Sequence, residues 1–190
     1  MGYIDLSDEH SDGNHDVDGL NVVLEVENDQ RSMKLGKIKR IIMHWTGGSY
    51  RMVHDVYHYC VPYDKLKDKA HVVKLLKLTE KGRHAFKANT GTVGISLCGM
   101  RNAVPSNLGE APITKAQLEV AAQFVAEFVA WHKLPLEAVT DHYHVDIEVG
   151  RSEKQDIKIY WKEFKALLEV KYNALKSGAA KFQYRGVLTD

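Results

Sequence analysis

The run IKRIIMHWTGG at residues 38–48 constrains the fold more than any other stretch. Ile41, Ile42 and Met43 are apolar at consecutive positions, enough to place this strand at the centre of a sheet. The run then ends on a histidine, His44, just before the turn Thr46-Gly47-Gly48. A polar side chain at the end of a buried strand is held rigidly where solvent and substrate enter. The glycine pair lets a bound group approach the backbone closely.

The rest of the chain supplies elements to cover such a strand. Strands are expected at 21–27 (NVVLEVE), 57–61 (YHYCV) and 92–99 (TVGISLCG), with a β-rich return at 70–78 and a short helix at about 50–56. Thr114 and Gln117 form a T-x-x-Q capping box, after which Leu118, Ala121, Val125 and Phe128 or Val129 repeat on one face, so a helix starts there and ends before Leu134-Pro135. A second helix is expected over about 157–176, with Trp161, Phe164, Leu168, Tyr172 and Leu175 on one side. This order predicts one α/β domain, a mixed central sheet flanked by helices. Its expected limits are 20–178, preceded by an acidic arm at 1–19 and followed by a tail at 179–190.

Composition narrows the function classes. A net charge of +1, from 26 basic and 25 acidic side chains, gives no global attraction to nucleic acid or to an anionic membrane. The acidic start MGYIDLSDEH lacks the basic and apolar segments of a secretory signal, so synthesis in a cytoplasm without a signal peptide is expected. Asp16, Asp18 and Gly19 imitate the opening of a calcium loop, but Val22, Val23 and Leu24 stand where later oxygen donors belong. Cys60 and Cys98 lie in apolar runs and read as buried free thiols rather than a disulfide.

The ten histidines are the chemically informative residues. His44 ends the central strand, His142 lies in AVTDHYHVD after the long helix, and Asp156 lies where the chain enters the last helix. Two imidazoles and a carboxylate match a catalytic zinc set, which uses three protein ligands and leaves the fourth position to water. The spacing is neither an H-E-x-x-H helix nor a cysteine pair, and His144 rivals His142 as Asp146 and Glu148 rival Asp156.

The stretches HWTGG (44–48), YHYCV (57–61), HAFKANTGTVGISLCGM (84–100), PITKAQ (112–117), DHYHVD (141–146) and KQDI (154–157) resemble, in order, those of type-2 N-acetylmuramoyl-L-alanine amidases. The similarity spans about 38–165, and NTGTVGISLCGM is most similar to the phage and prophage endolysin branch. The resemblance implies one Zn²⁺ at a sheet edge, held by His44, His142 and Asp156, with Lys154 two residues before the third ligand. It implies Tyr57 as the active-site tyrosine and His84 and Asn89 as substrate contacts. Lys154 is the candidate cation for the carbonyl oxygen that gains negative charge during amide hydrolysis. His58 and Asp141 are candidates for supporting the ligand imidazoles. The segment between His44 and Tyr57 is shorter than in many members, which implies a reduced helix beside the substrate groove.

The implied substrate is peptidoglycan, cut between N-acetylmuramic acid and L-alanine by a monomer that reaches the cell wall after release from the cytoplasm. The absence of a separate wall-binding segment suits an endolysin. A muropeptide-recycling amidase or an antibacterial effector would use the same chemistry, whereas a non-catalytic recognition module would lack the third ligand. The cationic, amphipathic carboxyl-terminal helix is a candidate for weak contact with anionic outer-membrane lipid.

Overall fold

A computed structural model describes the backbone of residues 3–5 and all of residues 38–151 and 157–189. Among the described residues the strands, in chain order, are β1 (Tyr3–Asp5), β2 (Arg40–Trp45), β3 (Met52–His54), β4 (Tyr59–Val61), β5 (Tyr63–Asp64), β6 (Lys69–Ala70), β7 (Val73–Lys74), β8 (Thr92–Leu97) and β9 (Val139–Asp141). Three α-helices accompany them: α1 (Lys115–Trp131), α2 (His142–Glu148) and α3 (Trp161–Lys176).

The central sheet has the order β7-β4-β8-β2-β9. β4, β8, β2 and β9 run parallel, and β7 closes one edge antiparallel. The sheet is therefore mixed, with helices covering it, as the element order predicts. β2 lies second from the β9 edge with a neighbour on each side, and Ile41, Ile42 and Met43 are fully buried.

Strand alternation divides the core into two layers. Ile41, Met43, Tyr59, Val61, Val93, Ile95 and Leu97 face α1 and α3, meeting Leu118, Phe124, Phe128, Phe164 and Leu168 in the main cluster. Ile42 points the other way, onto Ala85 and Val145. The capping box at Thr114 forms in both directions. Gln117, its other half, is fully buried and donates to the carbonyls of Val61 (2.8 Å) and Cys98 (2.7 Å), so the cap also fastens α1 to two strand ends. Phe164 and Leu168 of α3 are buried, with Trp161, Tyr172 and Leu175 partly buried beside them. The apolar side of α3 is thus engaged with the domain's own core, and Lys171 pairs with Glu119 of α1 at 2.8 Å. Cys60 and Cys98 are free and buried.

Several local expectations change. Residues 50–56 form a turn followed by β3, not a short helix, and β3 pairs antiparallel with β1. The hydrogen bonds that hold this segment extended come from the amino-terminal arm, a partner that no local pattern reveals. The strand expected at 21–27 lies outside the described residues. β9 ends one residue before His142, which opens α2, and Asp141 caps that helix by accepting from the His144 amide. The last helix begins at Trp161 after a 3-10 turn at Lys158–Tyr160.

Residues 179–189, expected as a tail, pack against α1. The fully buried carboxylate of Glu127 accepts from the amides of Gln183 (2.8 Å) and Tyr184 (2.7 Å), and also from Gln123 at 2.8 Å. The Tyr59 hydroxyl donates to the Val187 carbonyl at 2.8 Å, and Leu188 is fully buried. Buried backbone amides need acceptors, and Glu127 provides them. Leu188→Ala is therefore expected to lower unfolding stability by about 2–5 kcal/mol, the range for a buried leucine, as read by urea denaturation. A solvated tail would show no change.

Candidate metal centre

The site follows from strand register. β2 pairs with β9 so that Met43 lies opposite Asp141, and with β8 so that His44 lies opposite Ser96. The next residue of each of the first two strands is therefore a histidine, His44 and His142, at the carboxyl end of adjacent parallel strands, where α/β sheets commonly bind ligands. Their Nδ1 atoms approach to 3.1 Å. The two residues are 0% and 3% exposed.

On its other side His44 meets His84, with Nε2 and Nδ1 3.1 Å apart. Burial above all, and then the neighbouring His44, His58 and His142, push the His84 pKa down from 6.5 to about 2, so His84 is neutral at any ordinary pH. A neutral His84 that accepts the Nε2 proton of His44 leaves the His44 Nδ1 lone pair facing His142. The His84 ring lies directly on Gly94, where an added Cβ would stand 2.5 Å from the ring. The turn carrying His84 is pinned by the Asn89 side-chain oxygen, which accepts from the amides of His84 (3.1 Å) and Ala85 (2.7 Å).

These positions refine the residues expected from sequence. His84, expected to touch substrate, is 7% exposed and braces His44. Asn89, expected likewise, spends its oxygen on the turn, the ordinary use of an asparagine in a loop. His142 meets His44, whereas its rival His144 is half exposed and turns to the Asp141 carboxylate, with Nδ1 2.5 Å away. Glu148 pairs with Arg40 at 2.6 Å on the surface, away from the imidazoles. Tyr57 is partly exposed with its ring centre 5.0 Å from that of His44. His58 accepts from the Gly94 amide (3.1 Å) and donates to the Glu80 carbonyl (3.0 Å), holding the floor beneath His84. Lys154 and Asp156 lie outside the described residues. Among the described residues no group of three histidine, cysteine or acidic side chains is arranged to hold an ion.

Sequence reading missed Gly94 and Ser96. Alternation in TVGISL puts both on the face of β8 that His44 occupies in β2, which was the available signal. Ser96 is fully buried, and its hydroxyl has no hydrogen-bond partner among the described residues.

The two imidazoles fit a zinc ion. Nitrogens about 2.0–2.1 Å from a tetrahedral ion lie about 3.3 Å from each other, close to the separation of the two Nδ1 atoms. Borderline-soft nitrogen donors in a dry pocket also suit zinc better than calcium or magnesium, which take oxygen ligands.

Residues 34–157 match the profile of the N-acetylmuramoyl-L-alanine amidase family. No curated protein matches the chain. Among solved structures, a mutant of PlyL shares the fold at a TM-score of 0.51 and 15% identity, over 70% of this chain and 85% of that one. AmpDh3 from Pseudomonas aeruginosa does so at a TM-score of 0.52 and 18% identity, over 74% of this chain and 64% of its own.

Two outcomes follow from the His84 packing. Gly94→Ala displaces the His84 ring and is expected to lower stability by about 1–3 kcal/mol and to weaken zinc binding, read by urea denaturation and chelator competition. His84 is held neutral when folded but accepts a proton below about pH 6.5 when unfolded. The unfolded state therefore binds the extra proton, and stability of the zinc-free protein falls as pH drops from about 6.5 toward 2, by up to about 1.4 kcal/mol per pH unit. His84→Gln should flatten that slope in pH-dependent denaturation.

Proposed function

Because the chain belongs to the N-acetylmuramoyl-L-alanine amidase family, we propose that it hydrolyses the amide between N-acetylmuramic acid and L-alanine of peptidoglycan with one zinc held by His44, His142 and Asp156. The observation that carries the zinc reading is the meeting of the two buried Nδ1 atoms at 3.1 Å at neighbouring strand ends. Asp156 completes the set on the resemblance of Lys154-Gln155-Asp156 to the family's late motif. When bound, zinc supplies a Lewis acid and lowers the pKa of water to about 7, which makes a nucleophile available at neutral pH.

The protein's own groups do the rest. His84 keeps His44 in one tautomer and one orientation, so no reorganisation is needed during the reaction. Lys154 is assigned to the amide oxygen, whose negative charge develops only as the carbonyl becomes tetrahedral. A cation there stabilises the transition state more than the bound substrate. Tyr57, at the rim beside His44, is assigned to orient the attacking water through its hydroxyl.

For the biological setting we favour an endolysin that reaches the cell wall after release from the cytoplasm, on the phage-like character of NTGTVGISLCGM.

Incubation with purified peptidoglycan, with and without chelator, followed by mass spectrometry, tests the activity. Free stem peptides that disappear on chelation are expected, and glycan fragments with intact stems would sink the amidase reading. His142→Ala should abolish release while His144→Ala retains it. Lys154→Met is expected to lower kcat by about 10²- to 10³-fold, the usual effect of losing one oxyanion-stabilising group.

A further inference from the structure

Asp146 is a buried acid that the fold does not use. It lies in α2 one turn after His142, is 0% exposed, and neither carboxylate oxygen has a hydrogen-bond partner among the described residues. A buried carboxylate without donors is strongly unfavourable unless a positive charge or a polarised N–H compensates it. The other acids nearby have partners. Asp141 caps α2 and binds His144, and Glu148 pairs with Arg40. The group that Asp146 faces is His142, whose Nε2 lies 3.5 Å from Oδ1.

That contact divides the His142 ring. Nδ1 points at His44, and Nε2 points toward Asp146. We infer that Asp146 is the positioning residue for His142, drawing the imidazole proton to Nε2 and so leaving the Nδ1 lone pair directed at the metal. The contact is longer than the 2.7–3.2 Å of a full N–H···O bond. It therefore acts as an electrostatic bias on the tautomer, one that strengthens when a cation on Nδ1 makes the Nε2 proton more acidic. The i,i+4 spacing within α2 makes the pairing a property of the helix itself. His44 and His142 are thus braced differently, His44 by the neutral His84 and His142 by a carboxylate that also offsets the charge of the ion.

The inference rests on the zinc reading, and the test separates the two. Zinc affinity is measured by competition with a chromophoric chelator for the wild-type protein, Asp146→Asn and Asp146→Glu. Thermal melting of the zinc-free forms and ¹⁵N NMR of the His142 ring accompany it. The expected result is one zinc per wild-type chain, about 10- to 100-fold weaker binding in Asp146→Asn, partial recovery in Asp146→Glu, and an Nε2-protonated His142 in the zinc-loaded wild type. Zinc-free Asp146→Asn should melt no lower than wild type, since it loses a buried charge that no described group hydrogen-bonds, whereas an acid kept for the fold would lose stability there. Wild-type zinc affinity in Asp146→Asn would overturn the inference. So would a zinc-loaded wild-type protein whose His142 keeps its proton on Nδ1, a measurement that needs no variant to fold. A wild-type protein that binds no zinc would overturn the metal reading itself.

Discussion

The parallel pairing of β2 with β8 on one side and β9 on the other is the constraint from which the site follows. In a parallel ladder the register fixes which residues stand side by side at the strand ends, and a slip by one residue would turn a histidine to the opposite face of the sheet. Such a slip would also carry Arg40 and His44 onto the face packed against α1 and α3, where the apolar Ile41 and Met43 now sit. The energy that sets the geometry of the paired imidazoles is therefore hydrophobic and lies outside the site. The imidazoles inherit their positions from the core.

The two faces of the sheet divide the work. One carries α1, α3 and the carboxyl-terminal segment, with nearly all of the large aromatic packing. The other is thinner and polar, holding His44, His58, Ser96 and the turn around His84. Rigidity on the first face permits an unusual arrangement on the second, where histidines are packed against each other and one buried acid faces His142 without a full hydrogen bond among the described residues. Such groups would destabilise a marginal domain, and they persist because the surrounding packing over-determines them. Gly94 belongs to this economy, since the missing side chain is the space that His84 fills.

Much of the architecture was legible in local pattern. The capping box at Thr114, the period of α1 and the consecutive apolar residues of β2 each act within a few residues, so sequence shows them directly. β3 was read as a helix because its strand partner, Tyr3–Asp5, lies about 50 residues away in sequence. The segment after Gly178 was read as a tail because nothing local announces that Glu127, buried in the middle of a helix, serves as acceptor for two distant amides. For the site, motif resemblance singled out His44, His142 and His84 but not that the His84 ring faces His44. Asn89 and His84 stand at motif positions, and their support role depends on which atoms they face.

By itself the sequence determined the fold class, the long helix with its cap, and which residue types were available at the site, because these depend on composition, period and order along the chain, while its ordered motifs carried the resemblance to the family. Tertiary structure set which way His142 and His144 face, although they are two residues apart and chemically identical. Helix α2 begins at His142, so the first ring turns inward to His44 while the second turns outward to Asp141. It also decided that Asp146 faces His142, because a carboxylate's meaning lies in what surrounds it.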